Sequence, residues 1–134
     1  MNMEGYKDVF LEEAEENVNN LNAALLAFEK NVEDLTPVNE LFRAAHTLKG
    51  MSATMGYDKL AEFTHTLEEV LDNVRSGSLA PSVEVINLLF KSIDVVHAFV
   101  ASIKEQNIDA SEGSRELIED IKIQLANKGK KARL

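Results

Sequence analysis

Apolar residues spaced three and four apart recur in five successive stretches of this chain, and that rhythm constrains the fold more than any other feature. Leu11, Ala14, Val18, Leu21, Leu25 and Phe28 hold it for nearly five turns. That is the period of one face of a helix, not the alternation of a strand. Leu41, Ala45, Leu48, Ser52 and Met55 repeat it, then Leu60, Phe63, Leu67, Leu71 and Val74. Ile86, Leu89, Ile93, Val96, Val100 and Ile103 form a fourth stripe, and Leu117, Ile118, Ile121 and Leu125 a shorter fifth. The pattern predicts helices over about 4–30, 37–55, 59–75, 81–106 and 114–126. Two prolines and six glycines are few for the turns of a sheet protein, and a core with no Trp suits aliphatic helix packing. The expected fold is all-α: an antiparallel up-down four-helix bundle with an additional C-terminal helix. One domain over 1–127 fits a chain of 134 residues. Lys128 to Leu134 is basic and unpatterned, a linker stub or tail.

The boundaries have their own chemistry. Thr36 can cap the second helix, with Pro37 at its first position, where a missing donor costs nothing. Gly56 suits a left-handed cap at its end. Asp58 can then cap the third helix after a very short turn, which makes the second and third helices an antiparallel hairpin. Either Ala80 or Ser82 caps the fourth. Asn107 to Ser114 is a loop that holds further cap candidates.

Composition narrows the function. The chain lacks Cys, which excludes disulfides and thiolate metal sites. A net charge of −9 argues against a nucleic-acid partner. Nine acids and two bases fall within residues 1–34, read as the solvated side of the first helix. No apolar run approaches the roughly 18 residues of a membrane span, and Met1 to Lys7 has no signal-peptide pattern. A cytoplasmic location and no membrane insertion are the expectations.

The second helix carries more than a core stripe. His46 lies about 200° around from Leu48, so it faces outward. Lys49 and Gly50, at i+3 and i+4, share its side. Glycine inside a helix costs about 1 kcal/mol relative to alanine, and its place one turn from an outward histidine suggests that something must approach the imidazole closely. His46 and His65 are each about ten residues from the hairpin turn, hence at similar heights on neighbouring helices. Glu68 is within one turn of that level. His46, Lys49, His65 and Glu68 are therefore expected to form one cluster. A carboxylate that accepts from one imidazole nitrogen fixes the tautomer and raises the basicity of the other. That other nitrogen can attack phosphorus, with Lys49 as the cation for a phosphoryl oxygen.

His46-Thr47-Leu48-Lys49-Gly50-Met51-Ser52 resembles the phosphoacceptor motif of histidine-containing phosphotransfer (HPt) domains. The longer run from Phe42 to Gly50, with Met55-Gly56-Tyr57 and His65-Thr66-Leu67-Glu68, is similar to the N-terminal phosphotransfer domain of CheA-type chemotaxis histidine kinases. The acidic first helix with Tyr6, Phe10 and Glu12-Glu13 shares that likeness. The resemblance implies that His46 takes a phosphoryl group from ATP through a separate kinase domain of the same protein, in trans within a dimer. It passes the group to an aspartate of a response regulator of the CheY or CheB type. Glu68 would accept the Nδ1 proton and leave Nε2 as nucleophile. Lys49 and His65 would support reactivity or the phosphate, and Gly50 would leave room for the partner. No cofactor is expected in this domain: ATP and Mg²⁺ would belong to the kinase domain and Mg²⁺ to the regulator. The chain would then be a fragment of a histidine protein kinase that serves as phosphoacceptor and phosphodonor, with no nucleotide site of its own.

Three other readings compete. Glu62-x-x-His65 and Asp94-x-x-His97 resemble the Glu-x-x-His motifs of di-iron bundles. That site also needs inward carboxylates on the first two helices, whose stripes contain none. A plain interaction bundle would make His46 incidental. A free-standing or sensor-kinase-attached phosphorelay carrier would keep the chemistry and change the partners. Phe42 and Tyr57 either rim the His46 face or, the favoured reading, pack beneath it.

Overall fold

The computed structural model describes residues 2–127, so the expected basic tail at 128–134 lies outside the described residues. It contains α1 (Met3–Lys30), α2 (Thr36–Thr54), α3 (Asp58–Arg75), α4 (Val83–Gln106) and α5 (Ser114–Ala126), and no strand among the described residues. α2 packs on α1 and α3, α4 on α1, α3 and α5, and α5 also on α3. All six positions of the α1 stripe are buried, as are the stripes read for α3 and α4. On α2, Met55 is only half-buried; on α5, Leu117 and Ile121 are buried and Ile118 and Leu125 partly so. The Phe63 and Phe99 rings meet at 6.0 Å across α3 and α4. Burying each such side chain favours folding by about 1.5–3 kcal/mol.

The helix ends differ from the local reading in instructive ways. Thr36 is inside α2, after Leu35 at the cap position, and its side chain caps nothing. Its backbone N–H donates instead to Asp34 Oδ1 at 3.0 Å. That bond, with a second from the Thr36 side chain, holds the Asp34 carboxyl below its ordinary value. Two residues of extra chain are enough to fold an acid back on the first turn, and a carboxylate also favours the positive end of the helix.

At the far end, Gly56 has φ +80°, and Tyr57 N–H reaches back to the Ser52 carbonyl at 2.9 Å. The expected glycine cap is therefore present, with the long backward bond of a Schellman turn. Asp58 does not cap α3. Asp109, from the loop before α5, accepts from the N–H groups of Lys59 at 2.8 Å and Leu60 at 3.1 Å. An acid some 50 residues away in the chain thus takes the place of the neighbouring one. Ser82 settles the start of α4, accepting from Val85 N–H at 3.2 Å, and leaves Pro81 outside the helix.

One sequence expectation fails by composition. α4 is 24 residues long, and an 18-residue window within it reaches a mean hydropathy of 1.5, enough in length and apolarity to cross a membrane. Val85, Ile86, Leu89, Ile93, Val96, Phe99, Val100 and Ile103 are nevertheless buried against the neighbouring helices. A helix that touches three others needs apolar residues on most of its circumference.

Candidate functional site

The turn at Gly56 folds α3 back along α2, so residues rising in number on one face residues falling on the other. Phe42 meets Arg75, while His46 and Lys49 both meet Glu68. Leu41, Ala45 and Leu48 point into the core beneath, and the opposite side of α2 is left to His46. Its side chain is 64% exposed.

Glu68 is the centre of the arrangement. Its side chain is only 13% exposed, and each oxygen has a donor. His46 Nδ1 bonds Oε2, and Lys49 Nζ donates to Oε1 at 2.7 Å. Burial is the largest influence on the Glu68 carboxyl and opposes its ionisation. The hydrogen bonds from Lys49 and His46, with the charges of both, outweigh it and hold the carboxyl below its ordinary value. An ionised carboxylate only accepts, so Nδ1 carries the hydrogen. In the neutral ring the free lone pair is then at Nε2, the nitrogen away from the bond. When Nε2 bonds an electrophile the ring becomes cationic, and the carboxylate is already in place to stabilise it.

The four-residue cluster expected from the sequence is thus realised by three. His65 is exposed on α3 and makes no hydrogen bond, ion pair or ring contact with His46, Lys49 or Glu68. Height on the helix brought it into the expectation. It stands about 60° around α3 from Glu68, however, and Lys49 already occupies the second carboxylate oxygen. Gly50 is exposed, and a Cβ built there would meet nothing within 4 Å. Nothing within the fold requires glycine at this position, which therefore keeps its helix cost without an internal reason.

Phe42 is a correction. It is half-buried, as packing requires, but its ring also lies 6.2 Å from that of His46 with only 7° between their planes. The Arg75 guanidinium sits 4.0 Å from the Phe42 centroid, and Arg75 Nη2 donates to Asp72 Oδ1 at 2.6 Å. The i, i+4 spacing of Phe42 and His46 was a usable signal; nothing local pointed to Arg75. Tyr57 does pack, with its ring 5.0 Å from that of Phe10. Ser52 bonds the Leu48 carbonyl at 2.7 Å, and Met51 is half-buried. Thr47 is exposed and lines a shallow groove with Arg43 and Asn20.

Elsewhere, His97 of the Asp94-x-x-His97 pair is exposed. Among the described residues no three His, Asp or Glu side chains converge to hold a metal ion. A surface hollow lies between the start of α3 and α5, lined by Lys59, Glu62, Ser111, Arg115 and Glu119 among others, and no residue of the His46 site lines it.

The model of the Hpt domain family matches residues 5–127. The chemotaxis protein CheA of Bacillus subtilis is 45% identical over 119 residues, covering 89% of this chain and 17% of the relative. The chain thus spans less than a fifth of the length of that relative. The solution structure of the histidine phosphotransfer domain of CheA superposes with a TM-score of 0.81 at 38% identity, covering 90% of this chain and 92% of the other. The phosphorylated P1 domain of CheA3 from R. sphaeroides, in complex with CheY6, has a TM-score of 0.84 at 23% identity over 93% of this chain and 98% of the other, a likeness of fold.

Proposed function

The chain belongs to the Hpt domain family, and on that premise we propose that it is the phosphotransfer domain of a CheA-type chemotaxis histidine kinase with His46 as its phosphoacceptor. One observation carries the assignment: a well-exposed imidazole has its Nδ1 held by a nearly buried carboxylate.

The reaction follows from that geometry. The Nε2 lone pair forms a bond to the γ-phosphorus of ATP, the bond from phosphorus to the bridging oxygen breaks, and ADP leaves with that electron pair. In the second half, a carboxylate oxygen of a response-regulator aspartate attacks phosphorus, the P–N bond breaks and its electrons return to Nε2. Glu68 keeps Nδ1 protonated throughout and offsets the charge of the phosphorylated ring. Lys49, one turn along the same side, supplies a cation for the phosphoryl oxygens. His65, at the edge of the site, supports the phosphate through solvent. Gly50 leaves the approach open for a partner's own active site. ATP and Mg²⁺ belong to a kinase domain and Mg²⁺ to the regulator, so the catalytic machinery is outside this chain. The complex of the CheA3 relative with CheY6 supports a regulator of the CheY type as partner.

The functional unit is residues 1–127, an antiparallel up-down bundle with α5 added, working in the cytoplasm. Incubation with ATP and a cognate kinase core, followed by mass spectrometry, tests the reading. The expected result is one acid-labile phosphate, on His46. A domain that stays unmodified, or carries its phosphate elsewhere, refutes it.

A further inference from the structure

The hydrogen bond to Glu68 fixes one corner of the His46 ring and no more. A single N–H···O contact leaves the ring free to swing about that bond. The side chain is 64% exposed, so the surrounding core does not stop it. Nucleophilic attack makes a stricter demand, because the Nε2 lone pair lies in the ring plane. The plane therefore sets the direction from which phosphorus must come, and small misalignments of a reacting pair are costly.

The second constraint is visible one turn back on α2. Side chains on a helix lean towards its N-terminus, which carries the His46 ring over Phe42. The two rings are 7° from parallel with centroids 6.2 Å apart, within the range of offset aromatic pairs. Phe42 is itself held from both sides. Its inner side packs against the core, and the Arg75 guanidinium covers its ring at 4.0 Å. Arg75 is tied in turn to Asp72, one turn earlier on α3. A continuous line of contacts therefore runs from Asp72 through Arg75 and Phe42 to the imidazole, separate from the Glu68 bond.

We propose that Phe42, backed by Arg75, is a positioning residue that sets the plane of the His46 ring for phosphoryl transfer, while Glu68 sets its tautomer. The proposal rests on the phosphoacceptor reading of His46. Phe42 touches no reacting atom. It acts by restricting the ring, and Arg75 acts only through Phe42.

The experiment uses the 134-residue chain with ATP and a cognate kinase core, and compares wild type with Phe42→Leu, Phe42→Tyr, Arg75→Gln and the double variant Phe42→Leu/Arg75→Gln. Phe42→Leu should lower the maximal phosphorylation rate between about twofold and tenfold with KM for the domain unchanged, the signature of an interaction that matters in the transition state. Its ¹⁵N ring shifts should still show hydrogen on Nδ1, while the order parameters of the His46 ring C–H bonds fall. Phe42→Tyr, which keeps the planar face, should restore both. Arg75→Gln should cause a smaller loss, which disappears in the double variant because the two residues act in series. Phosphorylated wild type with an undiminished rate in a folded Phe42→Leu overturns the ring-plane role and leaves the phosphoacceptor reading intact. Loss of the Nδ1–H signature in Phe42→Leu also overturns it, since the residue would then act through the tautomer. Unphosphorylated wild type removes the reading beneath it.

Discussion

Two imidazoles stand exposed on the neighbouring helices α2 and α3, and their surroundings differ sharply. His46 has its Nδ1 on a nearly buried carboxylate and a parallel aromatic ring at its flank. His65 has neither. Exposure makes a histidine reachable, but it also leaves both nitrogens exchanging hydrogen bonds with water. What separates the two is cross-helix support: Glu68 comes from the neighbouring helix, with its desolvation cost outweighed by Lys49 and His46 together. His46, unlike His65, has neighbours that folding itself puts in order.

The comparison can be broken most directly by exchange of side chains. His46→Gln should abolish the acid-labile phosphate, while His65→Gln should change the rate of its formation less than about fivefold, the scale of an exposed charge effect. Equal loss in both variants, measured by mass spectrometry after incubation with kinase and ATP, would erase the distinction.

Next in size is access. Gly50→Leu should leave α2 folded, since its Cβ meets nothing, yet reduce transfer in both directions to near background. Gly50→Ala should raise unfolding stability by about 1 kcal/mol. Stopped-flow transfer rates beside urea unfolding curves separate these outcomes; full-rate transfer with Leu would show that no partner needs the space.

Removal of the supporting charge comes third. Glu68→Gln keeps the shape but loses the ionised acceptor, and should slow phosphorylation of His46 by about tenfold to a hundredfold. It also has a pH signature. The folded carboxyl titrates below its ordinary value of 4.5. Its stabilising contribution is therefore complete above that value and fades as pH falls through the lowered one. Wild type should lose stability faster than Glu68→Gln across that acid window, as urea midpoints at stepped pH would record. Parallel curves would mean that the ion pairs contribute nothing to folding.

The smallest effect carries the contrast to another end of α3, where Asp109 reaches across from the α4–α5 loop and Asp58 does not reach. Asp109→Ala should cost about 0.5–2 kcal/mol, the range of a lost helix cap. Asp58→Ala should cost less. Reversal of that order in denaturant titrations would return the cap to the local residue.

Much of this was legible from spacing. The α1, α3 and α4 stripes and the outward turn of His46, Lys49 and Gly50 follow from 100° per residue, and the short turn at Gly56 set the register that brings Glu68 to them. Contacts that depend on where a flexible side chain comes to rest did not follow. Height alone placed His65 in the cluster, and it is absent. Phe42 and Arg75 were not paired in advance, because rotamers at both ends and the angle between two helices decide whether a guanidinium covers a ring. Thr36 and Asp58 looked like caps, and Asp34 and Asp109 do the work.

By itself, the sequence determined which faces of which helices are apolar and which side of α2 is left for chemistry, because burial of a periodic stripe leaves a helix little rotational choice. Tertiary structure alone decided which polar groups meet. Those contacts are each worth only about a kilocalorie; they form where packing has already paired the backbones, and no short stretch of chain can specify them.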